Sequence, residues 1–136
     1  MTHTIELLDP SHPICAGLGA SFTLDDELYC FPVLVDEVVP LVRTSFETSD
    51  TSAFYSADHA IRGRRNDNDG WSHPPGSDLV GWVKSPGRAP VAYLQFGDGP
   101  DRYADPSFRR VLLNAIRWAA SADARHWATA RSAAVR

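Results

Sequence analysis

Three acids stand side by side at Asp25-Asp26-Glu27, followed by Leu28 and Tyr29. Adjacent carboxylates repel, so one of them can be raised in pKa and serve as a general acid or base. A solvated turn or cap is the commoner fate of such a run. A further carboxylate, Asp98, lies in Gly97-Asp98-Gly99-Pro100, just past an apolar run and shortly before a helix start. Open α/β sheets place ligands beyond the carboxyl ends of their strands, and helix starts focus anions. The plainer role for Asp98 is to hold its own turn through bonds to the backbone. His12 precedes Pro13, which keeps its backbone extended. It is suited to a metal or a sugar hydroxyl, and equally to a backbone bond. No two histidines have the i, i+4 spacing of a helical metal pair, so a divalent metal is possible only through tertiary proximity. Trp71, Trp82 and Tyr103 offer flat faces for a pyranose, although core packing explains Trp82 equally well. Tyr29 reads as a core residue with its hydroxyl at a polar rim.

These groups need elements to position them. Pro90–Phe96 is a nearly continuous apolar run of strand length. Continuous apolarity predicts a strand covered on both faces, as in a parallel sheet. Asp105-Pro106 then opens a helix over 105–121, with Asp as N-cap and Pro at the first helical position. Phe108, Val111, Leu112, Ala115, Ile116 and Ala119 form its apolar stripe, with Trp118 on the buried face or at its border. Thr4–Leu8 and Leu79–Lys84 read as strands. Val38–Thr44 is β-branched, and Pro40 makes it an edge strand or a bulge. Leu24–Phe31 reads as a turn into an extended piece, residues 45–77 as irregular, and Ala124–Val135 as helical. Four or five strands with one strong helix leave a parallel sheet short of cover. Either the sheet is not fully parallel, or part of the domain lies outside the chain, or a second copy covers the bare face.

The chain's 136 residues suit one domain, with residues 1–121 as its body and 122–136 as a helical or frayed tail. No stretch has the ~20 apolar residues of a membrane span, and the amino terminus lacks the pattern of a secretory signal. Cys15 and Cys30 cannot build a disulfide scaffold, so a reducing cytoplasm is the expected location. The formal charge of −4 argues against a dedicated nucleic-acid binder. Charge is uneven: residues 1–60 carry ten acids and one base, residues 61–136 twelve bases and seven acids.

Several segments taken together resemble the ThuA-like family, named for trehalose utilisation. They begin with His12-Pro13-Ile14, Gly17-Leu18, Phe22 and Asp26-Glu27-Leu28-Tyr29, and continue with Gly81-Trp82-Val83 and Pro90–Gln95. Gly97-Asp98-Gly99-Pro100, Tyr103, Asp105-Pro106, Phe108-Arg109 and Leu112–Ala119 close the set, so order and spacing hold over residues 3–121. The resemblance implies a flavodoxin-like α/β fold, the three-layer sandwich of class I glutamine amidotransferases. It covers only the carboxyl-terminal half, so the fold is expected to be incomplete. Many relatives read Gly-His where this chain has Gly97-Asp98, while others carry Gly-Asp-Gly-Pro as here. The resemblance further implies a saccharide as ligand and hydrolysis or elimination as the reaction. Glu27 and Asp98 would be acid and base, with His12, Tyr29, Trp82 and Tyr103 around the sugar. The related amidotransferases use a Cys nucleophile on a strand–helix elbow. Cys15, in Pro13-Ile14-Cys15-Ala16-Gly17, lacks that elbow and reads as an inert thiol. A non-catalytic sugar-binding or interaction module, completed by a homodimer or by an amino-terminal half in trans, is the other reading.

Overall fold

The computed structural model describes residues 1–29, 31–47, 54–74 and 76–134. Cys30, Val135 and part of the irregular stretch over 45–77 lie outside the described residues. The strands are β1 (Thr2–Leu7), β2 (Ser21–Asp25), β3 (Val39–Thr44), β4 (Leu79–Lys84) and β5 (Val91–Leu94). The helices are α1 (Ala57–Ile61), α2 (Pro106–Ala120) and α3 (Ala122–Ala134). The fold is mixed α/β, but its sheet has the order β2-β1-β3-β4-β5, with every pair antiparallel. This corrects the expectation of a parallel sheet and departs from a flavodoxin-like arrangement. Residues 85–90 alone join β4 to β5, and so short a link makes a hairpin; a parallel crossover needs a dozen residues or more.

Strand positions change accordingly. β5 is a half-buried edge strand, not an interior one. Its apolar run reflects two different partners: Tyr93 stacks on Trp82 of β4, while Leu94 and Ala92 pack against the core. β3 is the central strand in spite of Pro40, and the sheet absorbs the proline through register shifts between Pro40 and Arg43. Gly81 opposite Val42 is required by close approach, since a Cβ there would come within 2.5 Å of the valine Cγ2.

The sheet curls until its two edges meet. Phe22 of β2 lies edge-on to Phe96, just past β5, with ring centroids 6.3 Å apart. The Asp26 carboxylate, just past β2, accepts the Gly97 N–H at 2.7 Å. β2, β3 and β5 run in one direction, so their carboxyl ends share one rim with the start of β1.

Helix α2 packs along this curl. Asp105 caps it by accepting the Ser107 and Phe108 N–H groups, and Pro106 occupies its first turn. Its buried row is Phe108, Val111, Ala115 and Trp118. Ile116, expected on that row, is 59% exposed. At about 100° per residue the buried arc leans toward Trp118, which carries Ile116 round to the flank. In α3, Ala124 and Ala128 are buried, and Trp127 sets its ring edge-on to Trp118. Among the described residues no helix is long and apolar enough to cross a membrane.

Candidate functional site

The three adjacent acids are sorted by the pleat of the strand that leads into them. Phe22, Leu24, Asp26 and Leu28 alternate inward, while Thr23, Asp25, Glu27 and Tyr29 face out. Asp26 is 3% exposed. Besides Gly97, it accepts the Glu27 N–H at 2.8 Å and the Asp98 N–H at 3.4 Å. The Arg102 guanidinium stands 3.7 Å from its Oδ1 and 3.5 Å from the Asp25 carboxylate. The amino-terminal ammonium lies 3.3 Å from Asp25 and donates to the Asp26 carbonyl. Asp25 is held below the usual carboxylate range, first by its hydrogen bond to that ammonium. Asp26 is therefore a clasp between the sheet edges, saturated by backbone donors and a guanidinium.

The clasp brings Glu27 and Asp98 to one rim. Tyr29 faces outward like Glu27, with Asp98 and Asp26 as further negative neighbours. Hydrogen bonding with Glu27, then burial and these charges, push the Tyr29 phenol up to about 12. Tyr29 is 46% exposed and keeps its proton at any physiological pH, which corrects its reading as a core residue. Tyr103 belongs to the same corner. Its ring is edge-on to Phe108, and its hydroxyl lies 3.4 Å from where a Gly97 Cβ would stand. Gly97 has φ +115°, so a side chain there would meet both strain and Phe108.

One of the expected sugar contacts, His12, lies elsewhere. His12 caps the 3₁₀ turn Pro13–Cys15 through its Nδ1, which accepts the Ile14 N–H, and its ring rests on Trp118. Phe108 and Trp118 stand at opposite ends of α2, about 15 Å apart along its axis, so His12 is remote from the rim. Trp82 stacks on Tyr93 at 4.8 Å and 15°, with Phe31 edge-on to Tyr93 and the Lys84 ammonium over the indole.

Two contributors were missed by the sequence reading. Asp26 was detectable, because the period-two alternation from Phe22 to Leu28 selects it over Glu27 as the inward acid. Arg102 had no such signal. His73 lies between two carbonyls, Pro74 O at 2.6 Å and Tyr29 O at 3.3 Å, and so ties the Tyr29 backbone to the 71–74 segment. Cys15 is a buried free thiol pushed up to about 11 by burial, which keeps it protonated and inert at neutral pH.

Among the described residues no three His, Cys, Asp or Glu side chains converge as a metal centre requires. At the rim, Arg102 takes the place beside Asp26 that a cation would need. The residues present do not fit a metal ion.

No curated protein and no solved structure matches the chain. The profile of the ThuA family, described as trehalose utilisation, matches residues 1–119. That span runs from the first strand through the end of the buried row of α2 and includes the whole rim, so the chain belongs to the ThuA family.

Proposed function

We propose that the chain acts on a saccharide or an oxidised sugar derivative at the acidic rim, as a hydrolase or lyase of carbohydrate metabolism. The carrying observation is the meeting of Glu27 and Asp98, from opposite sheet edges, on the one Asp26 carboxylate that accepts both their backbone N–H groups. Family membership suggests a role in trehalose utilisation. In hydrolysis, one carboxyl protonates the departing glycosidic oxygen, and the other takes a proton from the attacking water. In elimination, one carboxylate takes the proton beside a sugar carbonyl, and the other, protonated, delivers its proton to the departing oxygen. Tyr29 keeps its proton throughout and donates a hydrogen bond to whichever oxygen gains charge. The reading places the chain in the cytoplasm, where the Cys15 thiol stays reduced.

The test is turnover of trehalose and of its keto derivative by Glu27→Gln and Asp98→Asn variants. Each should lose about 10²–10⁴-fold in rate. Melting temperature should stay near that of the unaltered chain, because both side chains are exposed. Undiminished turnover in Asp98→Asn would remove that residue from the site.

A second reading rests on the outer face of α2. Leu113 and Ile116 are exposed there among Arg109, Arg110 and Arg117. An unpartnered apolar pair of this kind suits an interaction module completed by a second copy or by an amino-terminal half in trans.

A further inference from the structure

A groove of about 480 Å³ lies at the far end of α2 from the rim, within the size range of small-molecule sites. Three rings line it: His12, Trp118 and Trp127. Most of its polar atoms are already engaged. The Ser121 hydroxyl donates to the Trp118 carbonyl and accepts the Ala124 N–H. The Asn114 amide spends both N–H bonds on the Ile14 and Ala16 carbonyls, leaving its oxygen as an acceptor. His12 accepts the Ile14 N–H at Nδ1, so the proton of its neutral ring sits on Nε2. Burial lowers the His12 pKa and favours that neutral form.

Besides the indole N–H groups, the remaining side chains supply a cation, an anion, the His12 Nε2–H donor and the Asn114 oxygen acceptor. Arg117 lies in the last turn of α2 and Asp123 in the first turn of α3, each offsetting the dipole of its helix. Both line the groove, yet among the described residues they form no ion pair with each other or with a third group. An aromatic groove carrying two unmatched opposite charges is complementary to a molecule with the same pattern reversed.

We propose that this groove binds a small zwitterion with a flat apolar body, the chemistry of an aromatic α-amino acid. The carboxylate meets Arg117 and the His12 Nε2–H. The ammonium meets Asp123 and the Asn114 oxygen. The flat body lies among the indoles. This site is separate from the acidic rim and does not depend on the function proposed there.

Calorimetric titration of the whole chain with L-phenylalanine, phenethylamine, 3-phenylpropanoate and trehalose tests it. L-Phenylalanine should bind saturably, one per chain. Phenethylamine and 3-phenylpropanoate, each missing one charge, should bind at least about tenfold more weakly. Arg117→Gln should weaken phenylalanine by a similar factor and leave phenethylamine unchanged, and Asp123→Asn should likewise weaken phenylalanine and leave 3-phenylpropanoate unchanged. Both side chains are exposed, so the variants should keep the circular-dichroism spectrum of the unaltered chain. Asp98→Asn should bind phenylalanine unchanged, which separates failure here from failure of the rim. No saturable binding of phenylalanine, equal binding of the single-charge analogues, or binding of trehalose in its place would overturn the proposal.

Discussion

The two ends of α2 solve the burial of polar groups in opposite ways. At its amino-terminal end a whole carboxylate, Asp26, is enclosed, with three backbone N–H groups and a nearby guanidinium around it. At its carboxyl-terminal end the enclosed surface is aromatic, and the charges of Arg117 and Asp123 stay outside. Burying an ion is favourable only when every lone pair is matched. The enclosed acid therefore serves architecture, and the exposed acids beside it are the ones we propose for chemistry.

The contrast can be broken most severely at the clasp. Asp26→Ala strips the acceptor from three N–H groups and should cost about 2–3 kcal/mol in urea unfolding. Its largest losses of amide protection should fall at Gly97 and Asp98, where the sheet edges meet. A cost below about 0.5 kcal/mol would mean that the curl is held by Phe22, Phe96 and Phe108 alone.

Acid sharpens the comparison with a smaller effect. His3 is buried with its Nδ1 2.7 Å from the Thr44 Oγ1, and burial is the main cause lowering its pKa, as it is for His12. The folded state therefore binds these protons less readily than the unfolded chain, whose histidines titrate near 6.5. Both contributions are present above that value, and stability falls as pH drops from it through the lowered folded values. Urea midpoints between pH 8 and pH 5 should trace this decline. His12→Asn keeps a cap acceptor and should flatten part of it. A midpoint independent of pH would show that neither ring is held neutral.

The smallest effect belongs to the outer face of α2. Ile116→Ala should cost less than about 1 kcal/mol, whereas Val111→Ala, which empties a fully buried site, should cost about 2 kcal/mol. Equal costs in the purified chain would show that a second copy covers Ile116.

The sequence resolved well where local rules dominate. Asp105-Pro106 determined the start of α2, and the 108–118 spacing selected most of its buried row. Residues 79–84 were legible as a strand because no proline, glycine cluster or charge run interrupts them. The placement of the candidate residues was partly legible. Glu27, Asp98, Tyr29 and Tyr103 do share a rim, while His12 does not, because sequence order carries no distance between segments that meet only after folding. The parallel sheet was an error that chain length already contradicted, since residues 85–90 cannot cross over.

Hydrophobic period, helix caps and turn residues act over a few positions, so the chain alone determined the start of α2, most of its buried row, the strand over 79–84 and its ThuA membership. Tertiary structure alone decided that the sheet curls and that its two outermost strands become neighbours at Asp26 and Gly97. That closure is spanned by a hydrogen-bonded carboxylate reaching across 71 positions of sequence and by the Phe22–Phe96 ring contact, and no local pattern encodes such contacts.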